Sequence, residues 1–164
     1  MKALFCADGQ RRRLRWPLAA TATALVLLGL PAAAQHVVDG DSLVLNGTTY
    51  RLHGIDAPDP AQICADGWPA GYAAEAYLAR LTEGRQVACE PTSGDRNGET
   101  VALCRADGVD LGAAMVTGGY AFAFVPNSAR YISQEDAARA AHRGMHAHAC
   151  LAPWKWQARM QQTR

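Results

Sequence analysis

VVDGDSLVLNGTTYRLHGIDAPD, residues 37–59, holds two apolar-rich runs joined by Asn46-Gly47. Asn-Gly suits a two-residue hairpin turn, because both central residues of that turn need a positive φ. The reading is two antiparallel strands, near residues 36–45 and 48–55. An antiparallel return sets the start of one strand beside the end of the next. Asp39 and Asp41 stand at the start and Asp56 and Asp59 at the end, so these carboxylates converge. A hard cation such as Ca²⁺ is a physical reason for such a cluster, since it takes carboxylate, carbonyl and water oxygens. Arg51, between the two acidic groups, is suited to pair with an acid or to grip a phosphate with its planar fork. Asp in Asp-Gly and Pro-Asp-Pro contexts is also an ordinary turn former. On pattern alone, metal site and turn both stand.

Working outward, residues 56–70 are rich in Pro, Asp and Gly and read as an irregular loop. Ala74, Tyr77, Leu78 and Leu81 recur at helical spacing, which predicts a helix over 71–81 that ends at Gly84. Strands follow at 85–90 and 100–106 around a Gly94–Gly98 turn, with Asp107-Gly108 as another tight turn. A short helix over 110–117, a strand over 119–125 and a helix over 132–143, stopping before Gly144, complete the order. The tail from Leu151 has no clear period. There are no repeats, no low-complexity tract and no linker. Short strands with a few helices suit a small barrel with packed helices.

At 164 residues the chain has room for one domain with a real core. Hydrophobic residues at 49% and charged residues at 19% exclude a disordered polyampholyte. Residues 1–34 read as an export signal: RRRLR at 11–15, an apolar run from Trp16 to Leu30, then Pro31 and an Ala32-x-Ala34 cleavage pattern. The run is shorter than the roughly 20 residues that span a bilayer, and a retained membrane anchor is the alternative. The expected organisation is signal 1–34, domain 35–146 and tail 147–164, in a periplasmic or secreted protein. From Gln35 onward 11 Lys+Arg face 14 Asp+Glu, a balance of −3. That balance does not favour a polyanion, so nucleic-acid contact must come from a local cluster or a bound cation. Cys64, Cys89, Cys104 and Cys150 remain after the signal, an even count that argues for disulfides in an oxidising compartment. Cys89 and Cys104 lie in two β-like runs that face each other, which pairs them and leaves Cys64 with Cys150. A cysteine metal site lacks CxxC spacing.

The opening stretch, together with DRNGETVALCRADGVDLGAAMVTGGYAFAF at 95–124 and EDAARAAHRGM at 135–145, resembles the staphylococcal nuclease-like (thermonuclease) family across residues 36–146. The resemblance implies an α+β fold, a five-stranded OB barrel with about three helices. It also implies Ca²⁺-dependent hydrolysis of phosphodiester bonds in DNA or RNA, with a single-stranded substrate, by a monomer without a stable protein partner. Carried over by position, Asp41 and Asp56 match the calcium carboxylates. Ala57 matches a ligand acting through its main-chain carbonyl, and Arg51 the first of two phosphate-gripping arginines.

Two positions depart from the family. Asp59 stands where the family has a Glu general base, and one fewer methylene draws the carboxylate back by about 1.5 Å; misplacement on that scale costs on the order of 100-fold in rate. Glu99 stands at the second phosphate-gripping arginine, whose loss costs about 2.7–4 kcal/mol by analogy with a deleted oxyanion donor. Arg96 and Arg105 are candidate substitutes, and Asn97 replaces an aromatic residue in the same turn. Two functions follow: an exported Ca²⁺-dependent nuclease weakened at Asp59 and Glu99, or a non-catalytic OB module binding single-stranded nucleic acid or another anionic ligand. A domain that keeps only the scaffold is the third.

His142, His146, His148 and Cys150 form an H-x3-H-x-H-x-C pattern, and a His pair four apart on a helix can share a transition metal; Gly144 interrupts the helix between the first two, which favours a polar helix end. Trp68 and Tyr72 are candidates for base stacking or for packing. Trp154 and Trp156 are expected to pack onto the barrel, and Asp39 to shape its turn or to support a metal ligand from behind. Only Gln35–Val38 precede the turn at 39–41 once the signal is removed, which leaves a short first strand and a partly open barrel.

Overall fold

The computed structural model describes residues 35–162 other than 97 and 127. The expected export signal and Asn97 lie outside the described residues. The hairpin forms as its turn demands, with Asn46 at φ 52° and Gly47 at φ 81°. It joins β2 (Ser42–Leu45) to β3 (Thr48–Leu52), with Ser42 opposite Arg51. The single strand expected over 36–45 is two, because the chain turns between β1 (Gln35–Val37) and β2. Val38 and Asp39 donate their N–H groups to the Ser42 carbonyl, and Asp41 N–H donates to Asp39 Oδ1 at 3.0 Å. Asp39 thus shapes the turn. Gly40 permits it, since a Cβ there would lie 2.7 Å from the Ala74 Cβ and 2.8 Å from the Ala57 Cβ.

β4 (Ile55–Asp56) follows, then α1 (Ala70–Thr82), which buries Ala74 and Leu78 on the predicted stripe. β5 (Val87–Arg96) and β6 (Glu99–Ala106) run antiparallel with an irregularity between Pro91 and Asp95. Pro91 is tolerated because β5 is an edge. β7 (Val109–Asp110) leads into α2 (Leu111–Thr117), whose first turn is capped by Asp110 accepting from Ala113 N–H at 3.0 Å. β8 (Phe122–Ala123), α3 (Ile132–Ala140), a 3-10 turn (Gly144–Ala147) and α4 (Pro153–Gln162) complete the chain.

The main sheet runs β1-β2-β3-β6-β5, with β7 paired to β6, and β4 pairs with β8 in a separate ribbon. The β3–β6 pair is parallel and sets Arg51 beside Val101. This is an α+β, OB-like fold with four helices, and among the described residues the sheet does not close into the expected five-stranded barrel. Its edges are β1, only three residues long, and β5. A side-chain bond from Gln35 Nε2 to the Thr82 carbonyl, 2.7 Å, ties β1 to the end of α1 instead.

Other boundaries differ from expectation. The strand expected over 85–90 runs on to Arg96, so Gly94 lies within β5 rather than in the turn. The strand expected over 119–125 shrinks to β8; at its start Gly119, at φ 74°, packs its Cα against the Arg143 carbonyl, where a Cβ would be 2.1 Å away. α3 stops at Ala140 rather than 143, and the chain reverses through His142 and Gly144 at φ 49° and 50°. The tail, where no period was expected, contains α4, in which only Pro153 is buried. Pro153 opens that helix, the position where a proline's missing N–H costs nothing.

Leu43, Leu52, Ile55, Leu78, Leu111, Met115, Val116 and Tyr131 fill the core between sheet and helices, each large apolar side chain contributing about 1.5–3 kcal/mol by its burial. A smaller cluster of Cys64, Ala70, Phe122 and Met145 lies beneath the 57–69 loop, with Trp68 and Cys150 packed on it. Both disulfides are formed: Cys89 with Cys104, directly opposed across β5 and β6, and Cys64 with Cys150.

Candidate functional site

The turn at 39–41 and the end of β4 meet at Arg51. One nitrogen, Nη2, lies 2.8 Å from Asp41 Oδ2 and 3.2 Å from Asp56 Oδ1. The other, Nη1, lies 3.8 Å from Glu99 Oε2. Local geometry explains each approach. Arg51 and Ser42 are register partners on β3 and β2, so Asp41 is one residue from Arg51's neighbour. Glu99 precedes Val101, Arg51's partner on β6, by two residues and therefore shares its face of the sheet.

Asp41 is buried and fully engaged. Its Oδ2 also accepts the Ala57 N–H at 3.0 Å, and its Oδ1 accepts from Ser42 Oγ at 3.3 Å. Burial pushes its carboxyl up to about 7 against the pull of Arg51, with Asp39 and Asp56 adding to the rise and the Ala57 N–H opposing it. Asp56 and Ala57 are buried beside it. Three carboxylates around one guanidinium leave an excess of negative charge when all are ionised. The donors on offer are hard oxygens, which is the chemistry a Ca²⁺ ion takes. Among the described residues no group of three or more His, Cys, Asp or Glu side chains is arranged to hold a metal ion.

The other candidate residues are dispersed around this centre. Asp59 is half-buried, and its Oδ1 accepts the Ala61 N–H at 3.0 Å while its carbonyl accepts Gln62 N–H at 2.7 Å. Tyr72 is 70% exposed on α1, open to a ligand. Arg105 is not at the site: it lies four residues along β6 from Val101, about 13 Å at strand rise, and pairs with Glu90 at 3.2 Å. Arg96 stands directly opposite Glu99 in the β5–β6 register, which keeps it at the right end of the sheet.

The histidines are separated into different roles. His142 is exposed in the reversal after α3, His146 packs edge-on against Phe122 at 5.1 Å, and His148 pairs with Asp66 at 2.8 Å. Trp68 stacks on His148 with ring centroids 4.3 Å apart, so one face of that ring is already covered. Trp154 packs against Phe122 and Phe124 as expected. Sequence reasoning missed Ser42 and Gln62. Ser42 was signalled only by its place directly after Asp41. Gln62 carried no signal, being one polar residue in an irregular loop, yet it is 1% exposed and donates to the Leu151 carbonyl at 2.8 Å.

Comparison with known families matches residues 49–148 to the staphylococcal nuclease homologue family. A curated relative, the succinoglycan biosynthesis protein ExoI of Rhizobium meliloti (strain 1021), is 33% identical over 127 residues, covering 71% of this chain. The alignment spans 66% of that relative's own length, just under two thirds. With the family match covering more than half its residues, and the two acidic turns meeting at one arginine, the chain belongs to the staphylococcal nuclease homologue family.

Proposed function

We propose that this chain is an exported, calcium-dependent phosphodiesterase acting on DNA or RNA, with turnover held down by Glu99 and Asp59. Family membership suggests the coarser part, a nuclease or nucleic-acid-binding function. The two disulfides suggest an extracellular or periplasmic protein, and among the described residues no helix is long and apolar enough to cross a membrane. The observation that carries the finer reading is the convergence of Asp41 and Asp56 on one nitrogen of Arg51.

In this reading Asp41, Asp56 and the main-chain carbonyl of Ala57 hold the cation, and Ser42 and the Ala57 N–H orient Asp41. A hard divalent cation supplies charge neutralisation on the phosphate. Arg51 turns its fork from the acids to the phosphate oxygens, where two parallel N–H donors match them. Asp59 orients the attacking water and takes up its proton. Glu99 sits where a second cationic grip would act, and its carboxylate opposes the anionic substrate while drawing on Arg51. That ion pair is also the observation favouring the second reading, a module that binds single-stranded nucleic acid without cutting it.

The test is cleavage of single-stranded and duplex DNA by the purified chain, with calcium and with a chelator. Calcium-dependent cutting supports the enzyme. Salt-sensitive binding to single strands without cutting moves the conclusion to the module, and neither cutting nor binding at low salt removes both.

A further inference from the structure

The loop that carries Asp59 is not held by the sheet and α1 alone. Five contacts of different chemistry bind it to the four residues His148–Leu151. Asp66 Oδ2 meets His148 Nδ1 at 2.8 Å, and Trp68 stacks on the same imidazole with an interplanar angle of 6°. Ala65 N–H donates to the Ala149 carbonyl at 3.0 Å, Cys64 is bonded to Cys150, and Gln62 Nε2 donates to the Leu151 carbonyl at 2.8 Å. His148 takes two partners from the loop and Ala149, Cys150 and Leu151 one each, in antiparallel order.

The loop in turn transmits that anchoring to Asp59. Gln62 N–H donates to the Asp59 carbonyl and Gln62's own carbonyl accepts Gly71 N–H at 3.2 Å, so Gln62 links the strap, Asp59 and the start of α1. Gly71 packs against Asp59 so closely that a Cβ would be 2.2 Å from its carbonyl oxygen. The strap pulls from one side and α1 backs the other.

We propose that Gln62, Cys64 and Asp66, held by residues 148–151, are positioning residues that set Asp59 relative to Arg51 and the candidate cation. This rests on the proposed hydrolytic reading for its kinetic consequence. It assigns a purpose to the His148-x-Cys150 portion of the histidine pattern, which no candidate ligand role absorbs. A carboxylate one methylene shorter than a Glu has less reach to correct its own position, so its backbone must be set more closely. Misplacement by about 1 Å costs on the order of 100-fold in rate.

The experiment compares the full chain with a Cys64→Ser/Cys150→Ser double variant and with His148→Leu, which disturbs the strap without breaking a covalent bond. Amide exchange is followed at Ala61 and Gln62, whose N–H groups bond to Asp59, and kcat and KM are measured on single-stranded DNA with calcium. Both variants are expected to exchange faster at those two amides while β5 and β6 keep their protection. kcat should fall on the order of 100-fold in the double variant and less in His148→Leu, with KM little changed. Adding Asp59→Ala to the double variant should cost almost nothing further, because a displaced group has nothing left to lose. Unchanged exchange at Ala61 and Gln62 in a folded variant overturns the proposal, and so does full additivity with Asp59→Ala. A chain that cuts no DNA overturns the hydrolytic reading instead, and the exchange result still decides the strap.

Discussion

Glu99 and Arg51 stand with Oε2 and Nη1 3.8 Å apart, so the guanidinium that is suited to grip a phosphate is flanked on both nitrogens by acids. Removing that carboxylate frees Nη1 and lifts the repulsion of an anionic substrate. Glu99→Gln is expected to raise kcat on DNA several-fold, and Glu99→Arg, which adds a donor, by on the order of 100-fold. Steady-state cleavage in calcium reads both. If neither substitution changes the rate, Glu99 does not face the phosphate.

Calcium binding to the folded chain should raise its melting temperature. At a hundred times the dissociation constant the gain is about 2.7 kcal/mol, several degrees for a domain of this size. Asp41→Asn, which keeps the shape of the side chain and the Ala57 hydrogen bond but not the charge, is expected to abolish the rise. An equal rise in that variant removes Asp41 from the ligand set.

The two disulfides close loops of different length, 15 residues for Cys89–Cys104 and 86 for Cys64–Cys150. Chain entropy alone predicts stabilisation of about 3 and about 4.6 kcal/mol respectively. Paired serine variants unfolded in urea should show the longer loop contributing more. Peptide mapping without reduction should recover each pair intact, and a Cys64–Cys89 peptide would contradict both.

His146 is held below its usual range, mainly by burial, with Arg139 adding and Glu135 opposing. A depressed histidine means that the unfolded chain takes up a proton first as the medium becomes acidic. Stability is therefore present above the ordinary value of 6.5 and is lost as pH falls from there toward the folded value. His146→Phe keeps an aromatic ring against Phe122 and should flatten the melting curve between pH 7.5 and 5. The same slope in both proteins would assign that limb to other groups.

Gly40 has no room for a side chain, because the atoms it would meet are the short, inflexible Cβ atoms of Ala57 and Ala74. Gly40→Ala is expected to cost about 1–3 kcal/mol by overpacking and to weaken the calcium response, since it pushes Asp41 and Ala57 apart. Retention of full stability would mean that α1 yields instead.

Local chemistry explains what was readable. The Asn46-Gly47 turn, the α1 stripe and the Asp39-Gly40-Asp41 turn depend on residues a few positions apart, and all three appear where the pattern puts them. The α4 helix was missed because it is ten residues long and buries only Pro153, so the core dictates little of its sequence. Arg105 was a reasonable substitute grip until β6 carried it about 13 Å along the strand to Glu90.

The chain's own order of residues determined the hairpin, the family signature and the meeting of two acidic turns at its open end, because turn chemistry and strand alternation act over short separations. Only the tertiary structure decided that Glu99 reaches Arg51, that the sheet stays open among the described residues, and that His148–Leu151 straps the Asp59 loop. Those outcomes depend on contacts between residues as much as 89 positions apart, as with Gln62 and Leu151. Such pairings are set by how sheet and helices pack around the common core, which no local pattern specifies.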